Sequence, residues 1–152
     1  IVGEAPGREE DQYQKGFIGP SGKMIWSELA KYSLNREDFH VTNVNKCFPS
    51  ISKTPSPEQI KICSQNWLFE EFKEIDCRLI LAFGNTALRA LADRSAGIRD
   101  LSGTTEWNDK IGAWICWAIH PSAVLRDGKN KPIFEFAIKN FVSKIELMST
   151  SE

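Results

Sequence analysis

The sequence is poor in the features that mark several common protein classes. Its four cysteines, Cys47, Cys63, Cys77 and Cys116, include no CxxC pair, and their scatter favours reduced thiols over a disulfide framework. There are only two histidines, His40 and His120. Long apolar runs are missing: Leu79-Ile80-Leu81-Ala82-Phe83 and the stretch 113–119 are far too short to cross a bilayer and suit buried strands, and nothing reads as a signal peptide. An excess of one charge is missing too, with 19 Lys and Arg against 20 Asp and Glu. Coating nucleic acid by bulk electrostatics is thereby excluded, and any DNA contact must come from a local patch. No Walker Lys-Ser/Thr pair follows the first glycine-rich loop, which counts against a nucleotide-binding module. Internal repeats and low-complexity tracts are absent. The length suits one domain with a real core, read as 1–148 with a tail at 149–152, and an intracellular location. Because it opens at a strand on Ile1, the sequence reads as a piece of a longer chain.

What is present is an alternation of strand and helix patterns. Strand-like runs fall at 1–3, 39–44, 78–83 and 113–119. A helix is expected from Gly22 to Tyr32 with Ile25, Trp26 and Leu29 on one face. A second is expected from a capping box of Ser56 and Gln59 with Pro57 at its first position, carrying Ile60, Cys63, Trp67, Leu68 and Ile75. A third starts at Asn85 with Leu88 and Leu91, and the last near Pro132, repeating Phe134, Ala137, Ile138, Phe141, Val142 and Ile145. Residues 94–112 break the rhythm with three glycines and read as a loop or short hairpin. This order implies an α/β fold, a three-layer α/β/α sandwich around a central, mostly parallel four-stranded sheet.

Three polar segments leave the carboxyl ends of these strands, where open parallel sheets bind ligands. They are Gly3-Glu4-Ala5-Pro6-Gly7 with Glu9, Glu10 and Asp11; Thr42-Asn43-Val44 with Lys46 and Cys47; and His120-Pro121-Ser122 running to Leu125 and Arg126. Between the first two lie Gly16-Phe17-Ile18-Gly19 and, at a helix start suited to an anion, Ser21 and Gly22. Lys15, Lys23, Lys46, Lys53, Arg126, Lys129 and Lys131 lie beside these segments and are the candidate basic patch, or simply a solvated mixed surface.

Taken together with Phe83-Gly84-Asn85, these motifs resemble the uracil-DNA glycosylase superfamily, most closely its iron–sulfur branch, family four. The resemblance covers nearly the whole chain. It implies an enzyme that flips uracil out of single- or double-stranded DNA and hydrolyses its N-glycosidic bond for base excision repair, acting as a monomer with no membrane partner. The alternative is a catalytically inactive glycosylase-like domain that binds DNA or a protein partner.

The resemblance assigns roles to residues whose chemistry suits them. His120 would donate a hydrogen bond to the charge growing on uracil O2. Glu10 is favoured as the carboxylate that orients water or stabilises the sugar cation, with Glu4 in a shared or structural role; Glu9 and Asp11 read as solvated. The superfamily often places an aspartate at the position that is Ala5 here. Asn43 offers a donor and an acceptor side by side, matching uracil N3–H and O4. Phe17 would stack on the flipped base or anchor its loop, and Gly3 and Ala5 would border the base. Ser122, Ser21 and Gly22 are candidate phosphate contacts, while Val124, Leu125 and Arg126 either wedge into the DNA stack or pack as helix residues. His40, inside a strand, reads as structural. Cys77 and Cys116 read as small core residues. Cys47 and Cys63 match half of a family-four iron–sulfur site. A cluster would need upstream cysteines, and the chemistry itself needs no cofactor.

Overall fold

The structure, a computed structural model, describes residues 1–4, 8–13, 16–44, 58, 67–94 and 97–150. Five strands, β1 (Val2–Gly3), β2 (Thr42–Asn43), β3 (Leu79–Phe83), β4 (Thr105–Asn108) and β5 (Ala113–Ala118), form one sheet in the order β2-β1-β3-β5-β4. The first four in that row are parallel, and β4 runs antiparallel along the edge of β5.

The sheet thus has one strand more than expected. The extra one lies in the segment 94–112, which folds as a short helix and then a hairpin. Its sequence, Thr-Glu-Trp-Asn, is half-exposed and has no apolar alternation, as befits an edge strand with one face toward solvent. β2 is also shorter than the run 39–44. Phe39 instead follows a 3₁₀ turn, Arg36–Asp38, closed by a reciprocal cap between Asn35 and Asp38, and its ring packs on Phe141 at 5.8 Å between centroids.

Strand periodicity sorts side chains into two cores. Leu81, Phe83, Cys116 and Ala118 face one side, with Ile25, Leu29, Phe134, Ala137, Ile138 and Phe141 packed on them. Ile80, Ala82, Ile115 and Trp117 face the other, with Leu68, Phe72, Ala87, Leu88, Leu91 and Ile98. Burial on both faces explains why β3 and β5 read as unbroken apolar runs.

Seven α-helical segments are described: α1 (Arg8–Tyr13), α2 (Pro20–Ala30), α3 (Phe69–Glu74), α4 (Gly84–Ala92), α5 (Ile98–Leu101), α6 (Pro121–Arg126) and α7 (Lys131–Thr150). α2 begins two residues ahead of the expected Gly22, because Gly19 is an extended N-cap and Pro20 occupies the first position, where proline's fixed φ costs nothing. α7 runs on through Ser149 and Thr150 of the expected tail, the Thr150 hydroxyl donating to the Leu147 carbonyl at 3.0 Å, while 151–152 lie outside the described residues. Of the second expected helix, Ser56, Pro57, Gln59, Ile60 and Cys63 lie outside the described residues. Around α3 the buried stripe is Leu68 and Phe72, four residues apart. Trp67 is 61% exposed and Ile75, at the C-cap, 41%, so neither joins the apolar face assigned to them.

Candidate active site

Gly3 and Asn43 are register partners at the carboxyl ends of β1 and β2. The Phe17 ring stands against Gly3. A Cβ at Gly3 would overlap Phe17 Cζ and lie 2.6 Å from Asn43 Oδ1, so only glycine fits there. Gly16 flanks the other end of the carboxamide, its Cβ direction 3.9 Å from Asn43 Nδ2. Among the described residues the Asn43 side chain, half-buried, has no hydrogen-bond partner. Phe17 is 7% exposed and part of the core, so it is an anchor as well as a wall. Its backbone is left-handed, with φ 57°, a conformation that costs an L-residue roughly 1–2 kcal/mol. Ala5 lies outside the described residues.

The two candidate carboxylates have different surroundings. One oxygen of Glu10 accepts from the backbone N–H groups of Ile18 at 2.6 Å and Gly19 at 2.5 Å. Glu4, just past the end of β1, is half-buried; burial pushes its carboxyl above the usual carboxylate range, and a hydrogen bond from the Thr86 hydroxyl offsets part of that. Thr86 is buried in the first turn of α4. Val2 pairs with Ala82, so the chain leaving β1 and the start of α4 lie side by side.

His120 follows β5 and caps α6. Its Nδ1 accepts from the Ser122 N–H at 3.1 Å and lies 2.9 Å from the Ser122 hydroxyl oxygen. A nitrogen that accepts cannot carry the proton, so the ring proton sits on Nε2. Burial, with a smaller contribution from the positive charge of Arg126, pushes the ring's pKa down to about 4. The imidazole is therefore neutral at physiological pH and presents one N–H donor. Gly84 makes room for it: its φ is 85°, and a Cβ there would lie 3.3 Å from the His120 Cβ.

In the sheet order, β2 with Asn43 and β5 with His120 enclose the ends of β1 and β3. Three strand spacings separate them, ~14 Å between backbones. The model of the Uracil DNA glycosylase superfamily matches residues 1–142. The chain belongs to that superfamily. It is 33% identical over 132 residues to the type-4 uracil-DNA glycosylase of Pyrobaculum aerophilum, covering 83% of this chain and 67% of the relative. The type-4 uracil-DNA glycosylase of Archaeoglobus fulgidus is also 33% identical, over 137 residues, with 82% and 65% covered. The chain thus spans about two-thirds of the length of these relatives. A DNA polymerase of Bacillus phage SP01 is 28% identical over 147 residues, 96% of this chain but 16% of that protein.

For a glycosylase-superfamily member, the remaining candidates fall into two groups. Ser122 is turned onto His120, and Leu125, 52% exposed, stands out from α6 beside exposed Arg126. Val124, by contrast, is 8% exposed and packs in the core, because it lies on the inner face of α6; it is no wedge. Gly22 is buried, and a Cβ there would overlap the Phe17 carbonyl, so this glycine serves close packing in α2. Ser21 is half-buried in the first turn of α2. His40 lies just ahead of β2, not inside a strand, and its Nε2 pairs with Glu71 of α3, on the side of the sheet away from the loops. Cys47 and Cys63 lie outside the described residues. Thr86 and Trp26 are functional neighbours that sequence reasoning missed. A threonine in a helix's first turn and a tryptophan on an apolar helix face carry no signal of their own; only the partner loops reveal them.

Proposed function

We propose that this domain is a monofunctional uracil-DNA glycosylase. Water replaces uracil at the sugar C1′, the C1′–N1 bond breaks with its electron pair leaving on the base, and an abasic site remains. The observation that carries the reading is the neutral His120, whose Nε2–H is fixed as a donor by the bond that Ser122 makes to Nδ1. Such a donor stabilises the negative charge that develops on a departing uracil without first having to lose a proton. Asn43 contributes a carboxamide without other described partners, suited to uracil O4 and N3–H. Glu4, shielded and close to the end of β1, is the carboxylate free to face the sugar cation or the attacking water. The names of the archaeal relatives support the same substrate, and the phage polymerase relative fits work on DNA. The substrate is uracil in DNA, single- or double-stranded, taken by a monomer. Among the described residues no helix is long and apolar enough to cross a membrane.

Cys47 and Cys63, the half-site for an iron–sulfur cluster, lie outside the described residues, and the two described cysteines are engaged elsewhere. The Cys77 thiol donates to the Leu79 carbonyl and Cys116 bonds with Thr105; burial pushes both thiols above their ordinary range, which disfavours the thiolates a cluster requires.

Incubating the domain with a uracil-containing oligonucleotide, then cleaving abasic sites with alkali, tests the proposal. Strand breaks at the uracil position are expected. No product above an enzyme-free blank would favour a catalytically inactive domain that binds DNA or a protein partner.

A further inference from the structure

We infer that Glu10 and Trp26 are the positioning residues of the base pocket, acting together to hold Phe17 so that its ring stands against Gly3, the register partner of Asn43. The inference rests on the glycosylase reading, in which that wall faces the uracil ring. Phe17 occupies a left-handed backbone conformation that an aromatic residue avoids, so the surroundings must impose it. Three restraints converge on this short stretch. Glu10 grips the two amides that follow Phe17, at Ile18 and Gly19, through a single oxygen. Trp26 Nε1–H donates to the Phe17 carbonyl at 2.9 Å, and its indole meets the Phe17 ring edge-on at 6.5 Å between centroids. Gly22, lacking a side chain, lets that carbonyl approach α2 closely. Trp26 is itself steadied by the Arg36 guanidinium, 5.3 Å from its ring centroid.

Glu10 in this arrangement needs an oxygen acceptor and not a negative charge. Glutamine keeps the acceptor and alanine removes it, whereas a carboxylate that acts on water or the sugar cation is lost equally in both. Kinetics on a uracil-containing oligonucleotide are measured for wild type, Glu10→Gln, Glu10→Ala and Trp26→Phe, alongside melting temperatures. The ring-current shift of the Gly3 Hα protons, one of which points at the Phe17 ring, is followed by NMR without substrate. Glu10→Gln is expected to keep kcat/KM within about threefold, since a neutral carbonyl accepts the same bonds at roughly half the strength. Glu10→Ala and Trp26→Phe are expected to lose the Gly3 shift and to lower kcat/KM by on the order of tenfold to a hundredfold, the cost of a misplaced pocket wall. A folded Glu10→Gln as inactive as Glu10→Ala would overturn the inference and return Glu10 to the chemistry. So would an unchanged Gly3 shift in Trp26→Phe. If Glu10→Ala does not fold, Glu10→Gln against wild type decides alone. A wild type that releases no uracil sinks the glycosylase reading instead, and the NMR shifts still judge the positioning.

Discussion

Ser122 directs both its backbone N–H and its hydroxyl at one atom, His120 Nδ1, from 3.1 and 2.9 Å. A single lone pair takes both, and the ring's only proton is left on the opposite nitrogen. The residue expected to grip phosphate is thereby tied to the residue expected to do chemistry.

His120→Ala should therefore lower turnover far more than DNA affinity. Removing one donor to a developing anion typically costs ~3 kcal/mol in the barrier, on the order of a hundredfold in rate. Single-turnover rates and binding isotherms on the same uracil oligonucleotide separate the two effects. Equal losses in both would assign His120 to substrate binding.

The same histidine sets a pH dependence of stability. Its folded-state pKa, about 4, lies below the ordinary 6.5. As pH falls through the ordinary value the unfolded chain takes up a proton that the folded chain refuses. Between the two values the unfolded state holds more protons, so stability falls as pH drops through that window and is fully present above it. Urea midpoints measured from about pH 7 down to about pH 4 should show this slope, and His120→Asn should flatten it. An identical slope in the variant would mean that other groups cause it.

Thr86→Val should move the acid limb of the kcat/KM profile to higher pH. Burial already raises the Glu4 carboxyl, and the Thr86 hydroxyl is what offsets part of that rise. Without the hydroxyl the carboxyl protonates at higher pH still, and activity that needs the carboxylate fades sooner on acidification. Thr86→Ser keeps a hydroxyl and should restore the profile. A limb that does not move in Thr86→Val would remove Glu4 from the chemistry.

Asn43→Asp should weaken uracil excision and relax the bar against cytosine. Uracil offers an acceptor at O4 and a donor at N3, which one carboxamide meets; cytosine reverses both. Unpaired polar groups in a closed pocket can discriminate by ~10⁴-fold or more. A carboxylate accepts from cytosine N4 and, when protonated, donates to N3. Excision of both bases from single-stranded oligonucleotides gives the ratio, and an unchanged ratio would show that Asn43 does not read the base.

The sequence by itself determined the order of the four parallel strands and of α2, α4 and α7, the family, and the three strand-end loops. Those features are written in local pattern: apolar runs in β3 and β5, the Phe134-to-Ile145 stripe of α7, and polar motifs after each parallel strand. The edge strand β4 was illegible because a half-exposed strand needs no apolar alternation. Tertiary structure alone decided which partners the side chains meet. Glu4 and Glu10 are acidic residues six positions apart, yet Glu10, on α1, takes the Ile18 and Gly19 amides with one oxygen, while Glu4, just past β1, meets Thr86 of α4. Val124 and Leu125 are adjacent and both apolar, yet one helical step buries the first and exposes the second. Residue type fixes what a group can donate or accept; which partner it meets depends on segments far apart in the chain being brought together, and that information no local pattern carries.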